Sequence, residues 1–403
     1  MHAESVARHL TTTPQPHTAS MSEPGSAAAV DVDVAAAVDR ELDLSCDELV
    51  EYSRSLDATF AGDIAERLAA FVLGGGSRIR PRFLWWAMRA CGGSDPQVPA
   101  ALRVAAALEL IQSCALIHDD VMDQSTVRRG RPSFHAQIAI RYPASGPPQG
   151  PEAPLFAQSA AVLAGDLALS WADDLVADAD LQPPVRANIL RIWRAMRTEM
   201  VAGQYLDLHG QVTSSRSAVQ AIRTVCLKTA RYTVERPLAL GAAMAGADAV
   251  TTRALTAAGR CAGIAFQLRD DLLGVFGDPE LTGKPSGDDI RSGKATYLLS
   301  LAHSRARATG DSGVIDLLDE CRGSTDLSGP DLSSVREALH STGAPAQVER
   351  RIERLVHACD RHLAEARIHG RAVQQLAKLL TQVASPPQQV TAATPVDLRG
   401  GYR

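Results

Sequence analysis

A chain of 403 residues that is 45% hydrophobic and 22% charged can bury a large core, but with aromatics at 4% that core has to be built from Ala, Leu, Val and Ile, which favours packed helices over a β-sandwich. A net charge of −5 and a pI near 6.1 give no electrostatic case for nucleic acid or an anionic membrane surface. Seven cysteines without CxxC pairing argue against a disulfide framework and for a reducing cytoplasm, and neither a basic-then-apolar N-terminus nor an uncharged apolar run of about 18 residues marks a signal peptide or membrane span.

Residues 1–35 carry Ser, Thr, Pro, His and Ala without periodicity and read as a disordered arm, ahead of a single all-α domain over 36–384 and a flexible Pro-rich tail over 385–403. From Ala35 to Leu73 the apolar positions Leu49, Tyr52, Leu56, Phe60, Ile64, Leu68 and Phe71 recur at helical spacing and stop at Gly74-Gly75-Gly76, which predicts one helix with a glycine stop. Ser77 to Arg82 opens the next helix, with Pro81 in its first turn. Arg78, Arg80 and Arg82 stand at the positive end of the helix dipole. Cations are misplaced there unless an anion joins them, so the segment reads as an anion site.

Val98 to Met122 is built of helix formers on every side and predicts a central buried helix. It delivers Asp119, Asp120 and Asp123 at its C-terminal end, where carboxylates need a cation. Asp119 and Asp123 are one turn, ~6 Å, apart on one face. Hard oxygen ligands so placed suit Mg²⁺, which is usually held by one or two carboxylates plus substrate phosphates. Arg128, Arg129 and Arg131 follow, and guanidinium forks match phosphate oxygens, so the stretch describes a site for a magnesium-bound diphosphate. An isolated DDxxD is equally a solvated helix end. His118 reads as a packed or capping histidine.

Tyr142 to Pro154 is a Pro/Gly loop, followed by helices over Phe156–Asp178 and Val185–His209. Gln204 and Asp207 share a face of the second, in GQYLDL, which alone reads as structural. Val219 to Gly246 predicts a helix kinked at Pro237, with Lys228 and Thr229 early in it. Thr252 to Phe276 is a second buried helix carrying Gln267, Asp270 and Asp271, with Gly274 where a third acid would stand. This second acidic motif decides against the solvated-end reading of the first. The glycine-rich loop that follows holds Lys284, Asp288, Asp289 and Lys294 and suits a lid over a diphosphate. Helical patterns continue from Val314 to Val383 without obvious chemistry, and no segment has strand period.

DDxxD followed in order by RRG, GQxxDL, KT, QxxDD and GKxxxDDxxxGK resembles the trans-isoprenyl diphosphate synthases, the polyprenyl synthetase family, over about Leu49 to Leu299. The resemblance implies an all-α fold of roughly ten or more helices around a deep central cavity, in a homodimer. It implies Mg²⁺-dependent transfer of the prenyl group of an allylic diphosphate (dimethylallyl, geranyl or farnesyl) onto isopentenyl diphosphate with release of diphosphate, and three Mg²⁺ ions bridging the allylic diphosphate to the two acidic motifs. Carried over residue by residue, it makes Asp119, Asp123 and Asp270 metal ligands, supported by Asp120, Asp207, Asp271 and Asp289. It puts Arg128, Lys228, Lys284 and Lys294 on the allylic diphosphate, Arg80, Gln112 and Arg129 on isopentenyl diphosphate, and Thr229 and Gln267 beside the reacting carbons.

Two departures stand out. Ser77 replaces a common family lysine, which predicts weakened isopentenyl diphosphate binding, with Arg78 or Arg82 as partial substitutes; and Gly274 replaces a third aspartate, a loss activity should survive because Asp270 is retained. Ala115 and Cys114, four and five residues before Asp119, lie about one turn beneath the metal site. Being small, they leave the cavity open and predict a product of C20 (geranylgeranyl diphosphate) or longer, with Ile111 as a deeper constraint. A class I terpene cyclase is a rival reading, but it pairs DDxxD with an N-D-x-x-S-x-x-x-E signature that DDLLG does not match. A catalytically impaired regulatory subunit is another, although such subunits usually lose acidic ligands that this chain keeps.

Overall fold

The computed structural model describes residues 25–142, 153–278, 286–324 and 326–384. Within them the chain is helical almost throughout, as its composition predicts. Helices α1 (Ala27–Val32) and α2 (Val34–Leu56) are capped by the side chains of Ser26 and Asp33, and Ala27, Val30 and Val34 are buried. The folded region therefore begins before residue 36; residues 1–24 and the 385–403 tail lie outside the described residues.

The helix expected to run to Leu73 breaks at Asp57. Its backbone is extended and its carboxylate accepts from the Phe60 N–H, so it ends α2 and caps a new start. The restart consists of α3 (Ala58–Phe60), a π-turn over Ala61–Ala65 and α4 (Glu66–Leu73), which stops at Gly74 as expected. Next come α5 (Ile79–Ala90) and α6 (Val98–Met122), whose bounds are those predicted. A short β1–β2 hairpin (Val127–Arg128 and Arg131–Pro132) corrects the expectation of no strands. Its two-residue turn, Arg129-Gly130, has φ values of 54° and 72°, the pair of left-handed residues that tight hairpins favour.

Helix α7 (Phe134–Arg141) leads to the loop expected at 142–154, of which 143–152 lie outside the described residues. Helices α8 (Ala153–Asp178), α9 (Pro183–Val212) and α10 (Ala218–Val225) follow. The bend expected at Pro237 begins earlier, in a π-helical stretch over Cys226–Glu235; Pro237 falls harmlessly in the first turn of α11 (Arg236–Met244). Then come α12 (Ala249–Phe276), α13 (Asp288–Arg291), α14 (Tyr297–Thr309), α15 (Ser312–Cys321), α16 (Gly329–Ser341), α17 (Ala344–Glu365) and α18 (Arg371–Ala384).

Two helical stretches, Asp95–Met122 and Pro154–Asp178, are long and apolar enough to cross a membrane. The hydropathy of the first is explained by burial, since α6 is the axis of the main core and packs along α8. The second is only 44% buried and leaves Leu155, Phe156 and Leu163 exposed. Around α6 the remaining helices pack as α5 on α11, and α12 on both α17 and the π stretch. The C-terminal end of α6 opens into the space between them.

Candidate active site

Two glycines explain how Lys228 and Thr229 reach that space. A Cβ on Gly203 of α9 would stand 2.4 Å from the Lys228 backbone N, and one on Gly263 of α12 would stand 2.6 Å from the Ala230 Cα. The π stretch is thus clamped between α9 and α12, and only glycine permits an approach this close. Its extra residue per turn turns Lys228 toward α6 and Thr229 toward α12. The Lys228 Nζ lies 2.7 Å from Asp207 and 3.4 Å from Asp119, so carboxylates from α9 and α6 converge on one ammonium. Gln204 also donates to Asp119, at 2.9 Å. These contacts bring Gln204 and Asp207 of GQYLDL to the end of α6.

A second ammonium, Lys294, lies 3.5 Å from Asp123 and 4.0 Å from Asp289. Arg128 pairs with the fully buried Asp120 and reaches Asp119 at 3.5 Å. Asp120 therefore orients Arg128 and faces away from the cavity. Burial works to raise the Asp119 carboxyl, yet Lys228, Lys294 and Arg128 together hold it below the usual carboxylate range. Burial raises Asp123, with Lys294 opposing and the Asp119 charge adding to the rise. The two carboxyls one turn apart are thus pushed in opposite directions. Lys228 is raised despite its burial, because Asp207 and Asp119 hold its proton.

On α12, Thr229 donates to Gln267 at 2.8 Å, and Gln267 donates to Asp271 at 3.0 Å. Burial, with the Asp289 charge adding, pushes Asp271 up to about 8, so it anchors Gln267. Asp270 is half-buried and makes no ion pair or side-chain hydrogen bond among the described residues. A Cβ at Gly274, one turn further, would stand 3.0 Å from Asp289, so the lid aspartate occupies the space beside the missing acid. Lys284 lies outside the described residues.

The opposite wall is cationic. Arg80 donates to Thr233 at 2.9 Å and lies 4.5 Å over the Tyr232 ring. Its Nε and the Oε1 of Gln112 are buried without a partner. Arg129 donates to the Gly75 carbonyl at 2.5 Å, and both burial and the neighbouring Arg78, Arg128 and Arg80 lower its pKa. Among the described residues neither Arg80 nor Arg129 has a carboxylate partner. Arg78 differs from the expectation: it is buried, with a left-handed backbone, and bonded to Asp39 at 2.7 Å, Glu109 at 2.8 Å and the Val72 carbonyl at 3.1 Å. It is a structural strut and offers no substitute for a lysine at the exposed Ser77. Breaking its buried pair with Glu109 would cost about 3–5 kcal/mol.

Arg80, Gln112, Cys114, Ala115, Asp119, Lys228, Thr229 and Gln267 line one cavity of about 440 Å³, so half of the predicted residues are brought together at its wall. Its apolar part is formed by Leu116, Met122, Met200, Val201 and Leu208, and Ile111 is buried in the core behind it. His118 lies 3.1 Å from the Val162 carbonyl and 3.7 Å from Cys114, packed against α8 as expected. The sequence reading missed Tyr232 and Thr233, which hold Arg80; Tyr232, one turn beyond Lys228, is the position helical spacing could have supplied. It also missed Glu109 as the partner of Arg78, although a lone acid in an apolar helix calls for a buried cation.

A family model described as polyprenyl synthetase matches residues 63–324. The chain is 35% identical over 272 residues to (2E,6E)-farnesyl diphosphate synthase from Mycobacterium tuberculosis, covering 66% of this chain and 68% of the relative. It is 32% identical to geranylfarnesyl diphosphate synthase from Aeropyrum pernix, covering 63% and 73%. Among solved structures it is similar to geranylgeranyl pyrophosphate synthase from Corynebacterium glutamicum, complexed with isoprenyl diphosphate and magnesium. That match has a TM-score of 0.78 at 37% identity and covers 86% of this chain and 98% of the other.

Proposed function

The chain belongs to the polyprenyl synthetase family and is a trans-prenyltransferase, and from that premise we propose that it condenses isopentenyl diphosphate with allylic diphosphates to give an all-trans product of C20 or longer. The observation that carries the reading of the site is the pairing of opposite wall types across one apolar cavity. Asp119 and Lys228 line the cavity on one side, with Asp207 joined to Lys228 and the Asp123–Lys294 pair close behind them; Arg80 lines the other side, and among the described residues neither it nor Arg129 has a carboxylate partner.

On the first wall Lys228, Lys294 and Arg128 bind the allylic diphosphate. Among the described residues no three His, Cys, Asp or Glu side chains converge as a cage. Mg²⁺ does not need one, since it takes one or two carboxylates and completes its shell with phosphate and water. Asp119, Asp123 and Asp270 supply oxygen donors of the right kind, and the lysines among them show that the cluster already demands positive charge. Magnesium, when bound, neutralises the departing diphosphate. Asp120 and Asp271 position Arg128 and Gln267, and Asp289 supports the cluster from the lid.

On the second wall Arg80, Arg129 and Gln112 bind isopentenyl diphosphate. The Thr229–Gln267 pair lines the space between the walls, and the apolar floor excludes water from the allylic cation that forms when the diphosphate leaves. The isopentenyl double bond attacks that cation, and the proton lost from the adduct goes to the released diphosphate. Small Cys114 and Ala115 leave room for the growing chain. The exposed apolar side chains of α8 favour a homodimer. A single catalytic domain working in the cytoplasm completes the reading.

The test is an assay of the purified protein with Mg²⁺, labelled isopentenyl diphosphate and dimethylallyl, geranyl and farnesyl diphosphate in turn, reading product length. Elongation to C20 or beyond is expected. Products that stop at C15 overturn the length assignment. Hydrocarbon release from a prenyl diphosphate alone indicates a cyclase, and silence indicates an impaired subunit.

A further inference from the structure

Arg322 sits at the C-terminal cap of α15, in a region whose sequence suggested no chemistry. Its guanidinium spreads over three backbone carbonyls: Nε donates to Gly293 at 3.0 Å, Nη1 to Ser215 at 3.2 Å and Nη2 to Gly210 at 3.4 Å. Gly210 lies in the last turn of α9, where its carbonyl also accepts from the Ser215 N–H at 2.9 Å, and it is three residues beyond Asp207. Gly293 immediately precedes Lys294. One side chain thus joins the end of the helix that carries Asp207 to the end of the lid that carries Lys294.

Neighbouring contacts stiffen this joint. The Gly323 N–H donates to the Ile290 carbonyl at 2.8 Å, and the Lys294 N–H donates to the Asp289 carbonyl at 2.9 Å. Gly293 has φ +67°, and a Cβ there would stand 3.5 Å from the Gly323 Cα, so the lid end is pressed against the residue next to Arg322. One turn back on α15, Asp319 holds Arg216 at 3.0 Å, just beyond the end of α9.

We propose that Arg322 is a positioning residue for prenyl transfer: by holding Gly210, Ser215 and Gly293 in one frame it sets the spacing of Asp207 and Lys294, and so shapes the allylic diphosphate site without touching it. The proposal rests on the assignment of Lys294 to that diphosphate. A lysine cannot replace the arginine, because a point charge does not serve three carbonyls in a planar fan.

The experiment compares Arg322→Ala, Arg322→Lys, Lys294→Ala and the Arg322→Ala/Lys294→Ala double variant of the full chain. It reads KM for farnesyl diphosphate and for isopentenyl diphosphate separately, together with hydrogen exchange over 286–296. Arg322→Ala should raise the allylic KM on the order of tenfold, below the ~10²-fold that a 1 Å misplacement can cost. The isopentenyl KM should stay unchanged and the lid segment should exchange faster. Arg322→Lys should behave the same way, and it carries the test if the alanine variant does not fold. In the Lys294→Ala background the loss of Arg322 should cost clearly less than it does alone, because part of its effect passes through Lys294. Equal rises in both KM values, unchanged lid exchange, or full additivity with Lys294→Ala each overturn the proposal. If Lys294→Ala itself leaves the allylic KM unchanged, the underlying assignment of Lys294 falls and the positioning role falls with it.

Discussion

The wall built by α6, α9, the π stretch and the lid differs from the wall built by Gly74–Arg80 and the β1–β2 turn in how its charges are held. On the first, Asp119, Asp123 and Asp207 are paired with Lys228 and Lys294, drawn from other elements, which offset two of their three charges. On the second, Arg80 rests on an aromatic ring and a hydroxyl, and Arg129 on a backbone carbonyl. Arg78 shows what a satisfied arginine looks like in the same loop, since its guanidinium is spent on Glu109 and Asp39. The contrast is the one the proposed roles call for: a wall that takes a metal-bound anion needs both signs of charge, while a wall that takes a bare anion needs cations whose charge no carboxylate has claimed.

The largest break in this comparison should come from Asp119→Ala. It removes the carboxylate shared by Lys228, Gln204 and Arg128. We expect kcat to fall on the order of 10³-fold, as for other lost groups aimed at developing charge, worth roughly 3–4 kcal/mol. Steady-state assays with farnesyl and isopentenyl diphosphate measure it, and a loss under about tenfold would falsify the assignment of this wall to the metal.

Arg129→Ala should act on the other wall alone. A charge-assisted hydrogen bond contributes roughly 1.5–3 kcal/mol, so the KM for isopentenyl diphosphate should rise about 10- to 100-fold. The allylic KM should remain within about twofold, because loss of a pure binding contact leaves the opposite wall intact. If the allylic KM rises as far, the two walls are not separate sites.

How much of this contrast could be read before the fold was known follows from what each wall is made of. The acidic wall was legible because Asp119 and Asp123 are four residues apart on one helix, and helical period alone places them on one face. The convergence of Asp207 and Lys228 followed only from the order of motifs and not from any spacing, because it depends on Gly203 and Gly263 bringing three elements together. In a sequence these are small residues in helices, with no mark of what they face. The cationic wall misled for a related reason. Arg78, Arg80 and Arg82 look alike in series, and only the left-handed backbone at Arg78 turns its side chain inward to Glu109. The break at Asp57 was missed because apolar spacing runs through it, whereas a single aspartate capping the Phe60 N–H outweighs that spacing locally.

Ser77→Lys sharpens the comparison with a smaller effect. Ser77 is exposed beside the glycine loop that Arg129 bonds, and Arg78 is not free to stand in for a missing charge. A lysine placed there is largely solvated, so its gain should be about 0.5–1 kcal/mol, which lowers the KM for isopentenyl diphosphate by about two- to fivefold. A KM that stays the same or rises would mean that Arg80 and Arg129 already saturate the anion.

The smallest effect on rate, and the one that separates both walls from the floor between them, is expected from Ala115→Phe. Ala115 lines the cavity one turn beneath Asp119, and Met200 and Val201 line it from α9. A phenyl group in place of a methyl removes length from the apolar compartment without touching a charged group on either wall. Both KM values should therefore stay within about twofold, while the product profile shifts to a shorter chain, because a pocket discriminates among chain lengths by about 1–3 kcal/mol per methylene-sized clash. Radiolabelled products resolved by chain length measure the shift. An unchanged profile would move the floor to α9, where Met200 or Val201 would be the next residue to enlarge, and a rise in either KM would show that the walls and the floor are not independent.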